Sequence, residues 1–245
     1  EENDMKEETC TVLENKKIAK NTYLMKLSQS EENFPRPGMF FDIALPTHFL
    51  RRPFSLSDHD NTSFSFVYKV VGHGTEEMAS MKEGTKLDIL LGLGNGFDLS
   101  KSGDTPLLVG GGSGIGVMHC LAKDLVKEGK HPLVALGFNT KEEVFFEKEF
   151  EKLGIKPLIY TVDGSCGLKG FPTQYLTEEH SYLYACGPQP LLKALSEDKG
   201  EGEFSLERRM GCGYGCCMGC TIVTKKGPRR VCKEGPVFEK EDLVW

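Results

Sequence analysis

What this 245-residue chain lacks narrows its function. It has one tryptophan and six histidines, and no His/Asp/Ser grouping that suggests nucleophilic or acid–base catalysis. Its net charge of −6 provides no basic excess for nucleic acid. No apolar run reaches the ~18 residues of a membrane-spanning helix. The opening EENDMKEETC is polar and acidic, unlike a signal peptide; Met5 offers a start, with Glu1–Asp4 an extension. A cytoplasmic protein with no nucleic-acid and no membrane partner is expected. Two motifs are incomplete. The glycine run after Val109 has Ile115 where a strict G-x-G-x-x-G would place its third glycine. The following strand ends in Gly137-Phe138-Asn139, without the acidic residue that reads a ribose in ordinary dehydrogenases.

What the chain has is cysteine and glycine, nine and 28 residues. Five cysteines lie between Arg209 and Cys232, in RMGCGYGCCMGCTIVTKKGPRRVC. Cys212, Cys217 and Cys220 form C-x4-C-x2-C, and Cys232 follows at a distance. A tight triplet plus one remote cysteine is the plant-type [2Fe–2S] spacing. Gly211, Gly213, Gly215 and Gly219 let the backbone wrap tightly and bring N–H groups toward sulfur. Zinc is the competing reading, but structural zinc favours two C-x2–4-C pairs, and Cys217–Cys220 is the only C-x-x-C here. Cys216 leaves a second register open, C-x3-C-x3-C. An odd number of unevenly clustered cysteines fits a reducing compartment better than a disulfide scaffold.

From Cys10 to about Asp98 the signals are all strand: CTVLENKKI, TYLMKLS, MFFDIAL, SFSFVYKVV and KLDILLGLG. Turn residues separate them at Glu14-Asn15, Pro35 to Gly38, Asp58 to Asn61 and Gly72 to Gly74. Short strands at near-regular spacing predict an antiparallel barrel or sandwich, with one short helix over Thr75–Met81, capped by Thr75. Arg51-Arg52-Pro53-Phe54-Ser55-Leu56 offers a cation for phosphate, an aromatic for a planar ring and a hydroxyl for a ring heteroatom. Tyr68-Lys69-Val70-Val71-Gly72-His73-Gly74-Thr75 runs glycines into a helix start. Each reads alone as an ordinary turn; together, ahead of a nucleotide-like half, they suggest a flavin site.

At Pro106 the pattern changes to alternating strand and helix, which predicts a parallel sheet covered by helices. Expected strands are 106–109, 133–138, 157–162 and 182–186. Expected helices are 117–128, ended by Gly129, then 140–153, with Phe146, Phe150 and Leu153 buried, and 190–196. Gly110 to Gly116 follows a strand and opens a helix, as a dinucleotide loop does. Cys186-Gly187-Pro188 ends another strand of the same sheet, where ligands bind.

The ordered set LRRPFSL, YKVVGHGT, VGGGSGIGV, ACGP and the cysteine motif with its trailing CKEGPVF resembles the ferredoxin–NADP reductase superfamily. Within it, the chain is similar to the electron-transfer subunits of type B dihydroorotate dehydrogenase, from Thr9 onward. The resemblance implies a β-barrel FAD domain (residues 5–100), an α/β parallel-sheet NAD domain (101–203) and a small C-terminal [2Fe–2S] domain (204–245). It implies that Arg52, Pro53, Phe54 and Ser55 hold FAD, with Arg52 on the pyrophosphate and Ser55 near the isoalloxazine. Tyr68, Lys69, Val70, Gly74 and Thr75 would continue that site. Gly111, Gly112, Gly114 and Gly116 would shape the NAD crevice, and Cys186 would face the nicotinamide. Cys212, Cys217, Cys220 and Cys232 would ligate the cluster.

A two-electron donor, NADH, and a one-electron acceptor, the cluster, need a flavin between them, so orientation rather than acid–base chemistry is the protein's task. No catalytic residue is expected, and His73 and His119 have no assigned role. The chain has no room for a dihydroorotate-binding barrel. That chemistry is expected on an FMN-containing catalytic partner, in a heterotetramer of two plus two. The small subunit of an NADH-dependent ferredoxin:NADP reductase or of a sulfide dehydrogenase shares these features. A zinc-bearing adaptor without catalysis is the alternative of another class.

Overall fold

The computed structural model describes residues 5–29, 36–177 and 179–245. The possible extension Glu1–Asp4 and the Pro35 end of one expected turn lie outside them. The first sheet uses β1 (Lys6–Ala19), β2 (Thr22–Ser28), β3 (Phe40–Ile43), β4 (Arg52–Ser55), β5 (Asp58–His59), β6 (Ser63–Lys69) and, after α1 (His73–Ala79), β7 (Lys86–Leu93). Its order is β4-β3-β7-β1-β2-β6-β5, antiparallel throughout. Alternation decides the faces: Leu87, Ile89 and Leu91 of β7 point inward with Cys10, Val12, Met25 and Leu27. The sheet curls until β4 meets β6 through side chains, Phe54 against Phe66 with ring centroids 4.9 Å apart. No ladder joins those strands among the described residues, so the expected barrel is a curled sheet closed by aromatic packing.

Two local expectations change. Glu14-Asn15, expected as a turn, lies inside β1. The Asn15 amide donates to the Met78 and Met81 carbonyls at 2.8 and 3.0 Å and accepts from the Tyr68 hydroxyl at 2.9 Å. Those bonds use the turn-forming side chain for tertiary structure. The short helix begins at His73 rather than after Thr75. The Thr75 hydroxyl instead reaches back, accepting from the Val71 and Gly72 amides.

The second sheet takes β8 (Leu107–Gly111), β9 (Leu133–Phe138), β10 (Leu158–Thr161), β11 (Leu168–Lys169), β12 (Leu183–Cys186) and β13 (Gly202–Ser205) in parallel. α2 (Gly114–Lys127), α3 (Glu147–Lys152) and α4 (Gln189–Leu195) connect them. β8 is buried along its whole length, as a strand covered on both faces must be. α2 starts three residues earlier than the expected 117, within the glycine run. The expected helix 140–153 is broken. A 3-10 turn at Lys141–Glu143 is followed by Phe146 at φ 67° and then α3. Phe145 and Phe146 are both buried, their rings 5.2 Å apart. A regular helix would send consecutive side chains about 100° apart, and would expose one of them.

The C-terminal module is a cysteine loop followed by the hairpin β14 (Thr221–Thr224) and β15 (Gly227–Arg230). It ends in β16 (Val237–Glu239), which adds antiparallel to β13 at the edge of the second sheet. Sequence periodicity identified neither β13 nor β16. The module therefore shares the second sheet and a core with it, Phe204, Phe238 and Leu243 packing with Leu183 and Leu192.

The two sheets meet along α2. His119 Nδ1 lies 3.1 Å from the Ser57 carbonyl. The Lys123 ammonium donates to Asp58 and to the His59 carbonyl at 2.5 and 2.6 Å. A Cβ on Gly116 would stand 2.1 Å from Ser57 Oγ, so Gly116 is the point of closest approach. Among the described residues no helix is long and apolar enough to cross a membrane.

Candidate functional site

A crevice of about 930 Å³ opens where the two sheets and the C-terminal module converge, near the upper end for small-molecule sites. The first sheet contributes Phe40, Pro53, Phe54, Ser55, Tyr68 and Lys69, with Thr75 beyond them. The second contributes Gly111, Gly112, Gly114 and Cys186, at the carboxyl ends of β8 and β12. The C-terminal module contributes Met210 and Pro236. Arg52, Val70, Gly74 and Gly116 stand behind this lining. Arg52 donates to the Leu50 carbonyl at 2.7 Å, and its Nε lies 3.2 Å from where a Gly74 Cβ would be. Gly74 therefore leaves room for the guanidinium across the start of α1. Neighbouring Arg51 is committed elsewhere, paired with Asp88 at 3.1 Å and with Glu7.

The glycines on the second sheet have separate uses. Gly112 needs its positive φ of 57°, which costs glycine nothing. A Cβ on Gly114 would lie 2.3 Å from the Cys186 carbonyl oxygen and 2.8 Å from its sulfur. Gly114 thus lets α2 start directly against β12. Burial pushes the Cys186 thiol up to about 12, with the Glu207 charge adding to it. Cys186 is therefore a neutral, compact wall and not a thiolate.

Sequence reasoning missed several lining residues. Ser113 Oγ lies 3.5 Å from the Glu207 carboxylate, whose pKa is raised by the poorly solvated crevice walls around it and lowered in part by that serine. On the far side, Asn139 Nδ2 donates to Glu143 at 2.9 Å, and Glu143 pairs with Lys69 at 3.2 Å across the two sheets. Asn139 was visible as the residue replacing the usual acid. Glu143 and Glu207 carry no local signal, because distant segments bring them to the crevice.

The cysteine loop brings two of its sulfurs into contact. Cys220 Sγ lies 3.2 Å from Cys232 Sγ, both buried. Cys212 accepts the amides of Cys216 and Cys217 at 3.2 and 3.4 Å, and Cys217 Sγ accepts the Gly219 amide at 3.5 Å. Cys216 contributes its backbone, and its side chain is exposed. Burial pushes Cys212 up, but the Cys217 and Tyr214 amides outweigh it and bring the thiol down to about 6. Burial and the adjacent Cys220 push Cys232 up to about 12. Among the described residues no three His, Cys, Asp or Glu side chains gather closely enough to hold a metal ion. The donor set nonetheless suits a two-iron cluster, in which four thiolates serve two irons.

Under this loop lies Asp42 of β3, 2% exposed. Its Oδ1 has no hydrogen-bond partner, and a Cβ on Gly213 would stand 1.9 Å from its Oδ2. Burial raises its pKa to about 6, against the opposing pull of the Arg51 guanidinium.

This combination of curled antiparallel sheet, parallel nucleotide sheet and shared crevice is a ferredoxin-reductase-like fold. Phthalate dioxygenase reductase, 17% identical, matches it with a TM-score of 0.68 over 89% of this chain and 87% of that one. The NADH-dependent reduced ferredoxin-NADP oxidoreductase structure matches with a TM-score of 0.88 and 29% identity, over 96% and 90%. The family model for the iron-sulfur cluster binding domain of dihydroorotate dehydrogenase B matches residues 207–244. The dihydroorotate dehydrogenase B (NAD(+)) electron transfer subunit of Fusobacterium nucleatum is 43% identical over 98% of this chain and 99% of its own length. That of a Geobacillus species is 42% identical over the same shares. The chain belongs to the family of dihydroorotate dehydrogenase B electron transfer subunits.

Proposed function

We propose that this chain oxidises NADH at FAD and delivers the electrons singly, through a [2Fe–2S] cluster, to an FMN-bearing dihydroorotate dehydrogenase catalytic subunit of pyrimidine biosynthesis. The observation that carries this reading is the single crevice walled by all three modules, with the cysteine loop two residues beyond its Met210 wall. FAD bound there supplies hydride acceptance and single-electron release, which no side chain here can provide.

The chain's own residues bind and orient. Pro53, Phe54 and Ser55 form the flavin wall, continued by Tyr68, Lys69 and Thr75, with Val70 behind it and Arg52, over Gly74, the cation that would serve the pyrophosphate. Gly111, Gly112 and Gly114 would bring backbone close to the nicotinamide nucleotide, while Gly116 behind them lets α2 pack on Ser57. Cys186 would pack against the nicotinamide, and Ser113 with Glu207 would offer polar partners to its carboxamide. Cys212, Cys217, Cys220 and Cys232 would hold the two irons. Amides aimed at Cys212 stabilise its thiolate. A single zinc ion would instead draw all four sulfurs around one centre, whereas among the described residues no three of them gather that closely, which favours the cluster. The partner assembly is a two-plus-two heterotetramer in the cytoplasm.

The test is an absorbance spectrum of the purified protein together with co-purification. Flavin bands, iron–sulfur absorption and a bound FMN-containing partner that gains NAD-linked dihydroorotate oxidation are expected. Zinc without either chromophore would remove the redox reading. A partner bearing [4Fe–4S] clusters would replace the dihydroorotate reading with that of a bifurcating reductase.

A further inference from the structure

The wall that the C-terminal module presents to the crevice is held on one side by the Leu206 amide, which donates to the Pro236 carbonyl at 2.9 Å, and on the other by one side chain of the first sheet's exit. Asn95 follows β7 and Gly94. Its backbone amide donates to the Gly235 carbonyl at 2.7 Å. Its Nδ2 donates to the Val237 carbonyl at 2.8 Å and more weakly to that of Glu234 at 3.4 Å. Its Oδ1 accepts the Val237 amide at 2.9 Å. Pro236 is thus gripped through both neighbouring residues. Gly94, at φ +70°, permits this approach, since a Cβ there would meet Pro236 Cδ at 2.6 Å and Gly235 O at 2.8 Å. Pro236 and Met210 face Phe40 in the crevice, and Met210 stands two residues before Cys212.

We propose that Asn95 is a positioning residue: by gripping Gly235–Val237 it fixes the separation between the flavin wall and the cysteine loop, and so sets the rate at which electrons reach the cluster. The inference rests on the cofactor reading above. Electron tunnelling between fixed centres falls steeply with distance, so a small displacement of the module slows this step and leaves hydride transfer at the other end of the crevice alone. Asn95 is not what attaches the module. β16 remains laddered to β13, Phe238 remains in the shared core, and Lys101 ties Glu203 to Glu239 at 3.1 and 3.0 Å. Loss of the Asn95 carboxamide therefore leaves the module hinged on that ladder with its cysteines in place.

The experiment is rapid anaerobic mixing of holoprotein with NADH, comparing wild type with Asn95→Ala. Flavin bleaching is expected at the wild-type rate, and iron content unchanged. Cluster bleaching is expected to slow by about tenfold or more, as small misplacements do to reactions that depend on fixed geometry. Two readouts stand apart from turnover. Hydrogen exchange at the Val237 amide is expected to accelerate about tenfold on loss of its acceptor, and flavin fluorescence is expected to rise as the Pro236 wall lifts. Cluster bleaching at the wild-type rate, unchanged Val237 exchange, or equal slowing of both phases overturns the proposal. If the alanine variant does not fold, Asn95→Asp keeps the acceptor for Val237, so exchange there is read only in the alanine variant, and turns an oxygen toward the Val237 and Glu234 carbonyls; the same split between flavin and cluster bleaching is expected. Wild-type protein without flavin or cluster would overturn the cofactor reading instead, and Val237 exchange tests the grip in either event.

Discussion

The crevice and the cysteine loop are built by opposite means. The crevice walls are strand ends and a helix start pressed together so closely that a single Cβ at Gly114 or Gly116 has no space. The loop is largely irregular backbone between Arg209 and Cys220, with Cys216 and Cys217 exposed and amides rather than apolar groups facing Cys212. Packing gives the crevice its shape before any ligand arrives. The loop's four thiols are joined by one contact, Cys220 with Cys232, and metal would complete the rest, so binding there contributes to its folding. The difference teaches that damage to the loop should be chemical and local, whereas damage to the crevice should be geometric.

The largest expected effect breaks the loop alone. Cys217→Ser abolishes the visible iron–sulfur absorption and iron content and leaves FAD bound, with NADH oxidation by an artificial acceptor retained. Loss of FAD along with the cluster would show that the two regions are one cooperative unit. Gly114→Ala attacks the other side. Its Cβ must displace the Cys186 backbone, and flavin reduction by NADH is expected to fall by about 10- to 100-fold with cluster content unchanged. A wild-type rate would mean that the contact with Cys186 does not shape the nucleotide site.

Asp42 lies between the two regions and sharpens the comparison. Its carboxyl titrates near 6 in the folded protein, against 3.8 for an unperturbed aspartate. Folding therefore bears no penalty from Asp42 below about pH 4, where both states are protonated. The penalty grows as pH rises from about 4 to 6 and is complete above that. Asp42→Asn is expected to stabilise the protein at pH 7–8, by at most about 3 kcal/mol, with the gain vanishing toward pH 4. Urea unfolding across that range measures it; a gain independent of pH would mean that charge burial is not the cause. The smallest effect belongs to Cys216→Ser. Since Cys216 serves the loop through its backbone amide, cluster absorption should be unchanged, and bleaching would move the ligand register by one residue.

Much of this was legible in the sequence, because the informative signals were local. LRRPFSL, the glycine run, ACGP and the cysteine spacing each announce themselves within about ten residues, and the structure brings the first three to one crevice. Three kinds of feature were not legible. The kink at Phe146 follows from burying two adjacent aromatics, a tertiary demand that overrides helical periodicity. Glu207, Glu143 and Asp42 matter through what distant segments place beside them. The grip of Asn95 on Val237 spans 142 residues, and β16 joins the second sheet from the end of the chain, so no window of sequence contains either partner pair.

The most direct test is an anaerobic NADH titration of the purified chain, followed by absorbance. One FAD takes two electrons and one [2Fe–2S] cluster takes one, so flavin and cluster bands should both bleach, with an endpoint near ~1.5 NADH per chain. An endpoint near ~1 NADH, with flavin bleached and iron–sulfur absorption untouched, would contradict the claim that the crevice feeds the cysteine loop.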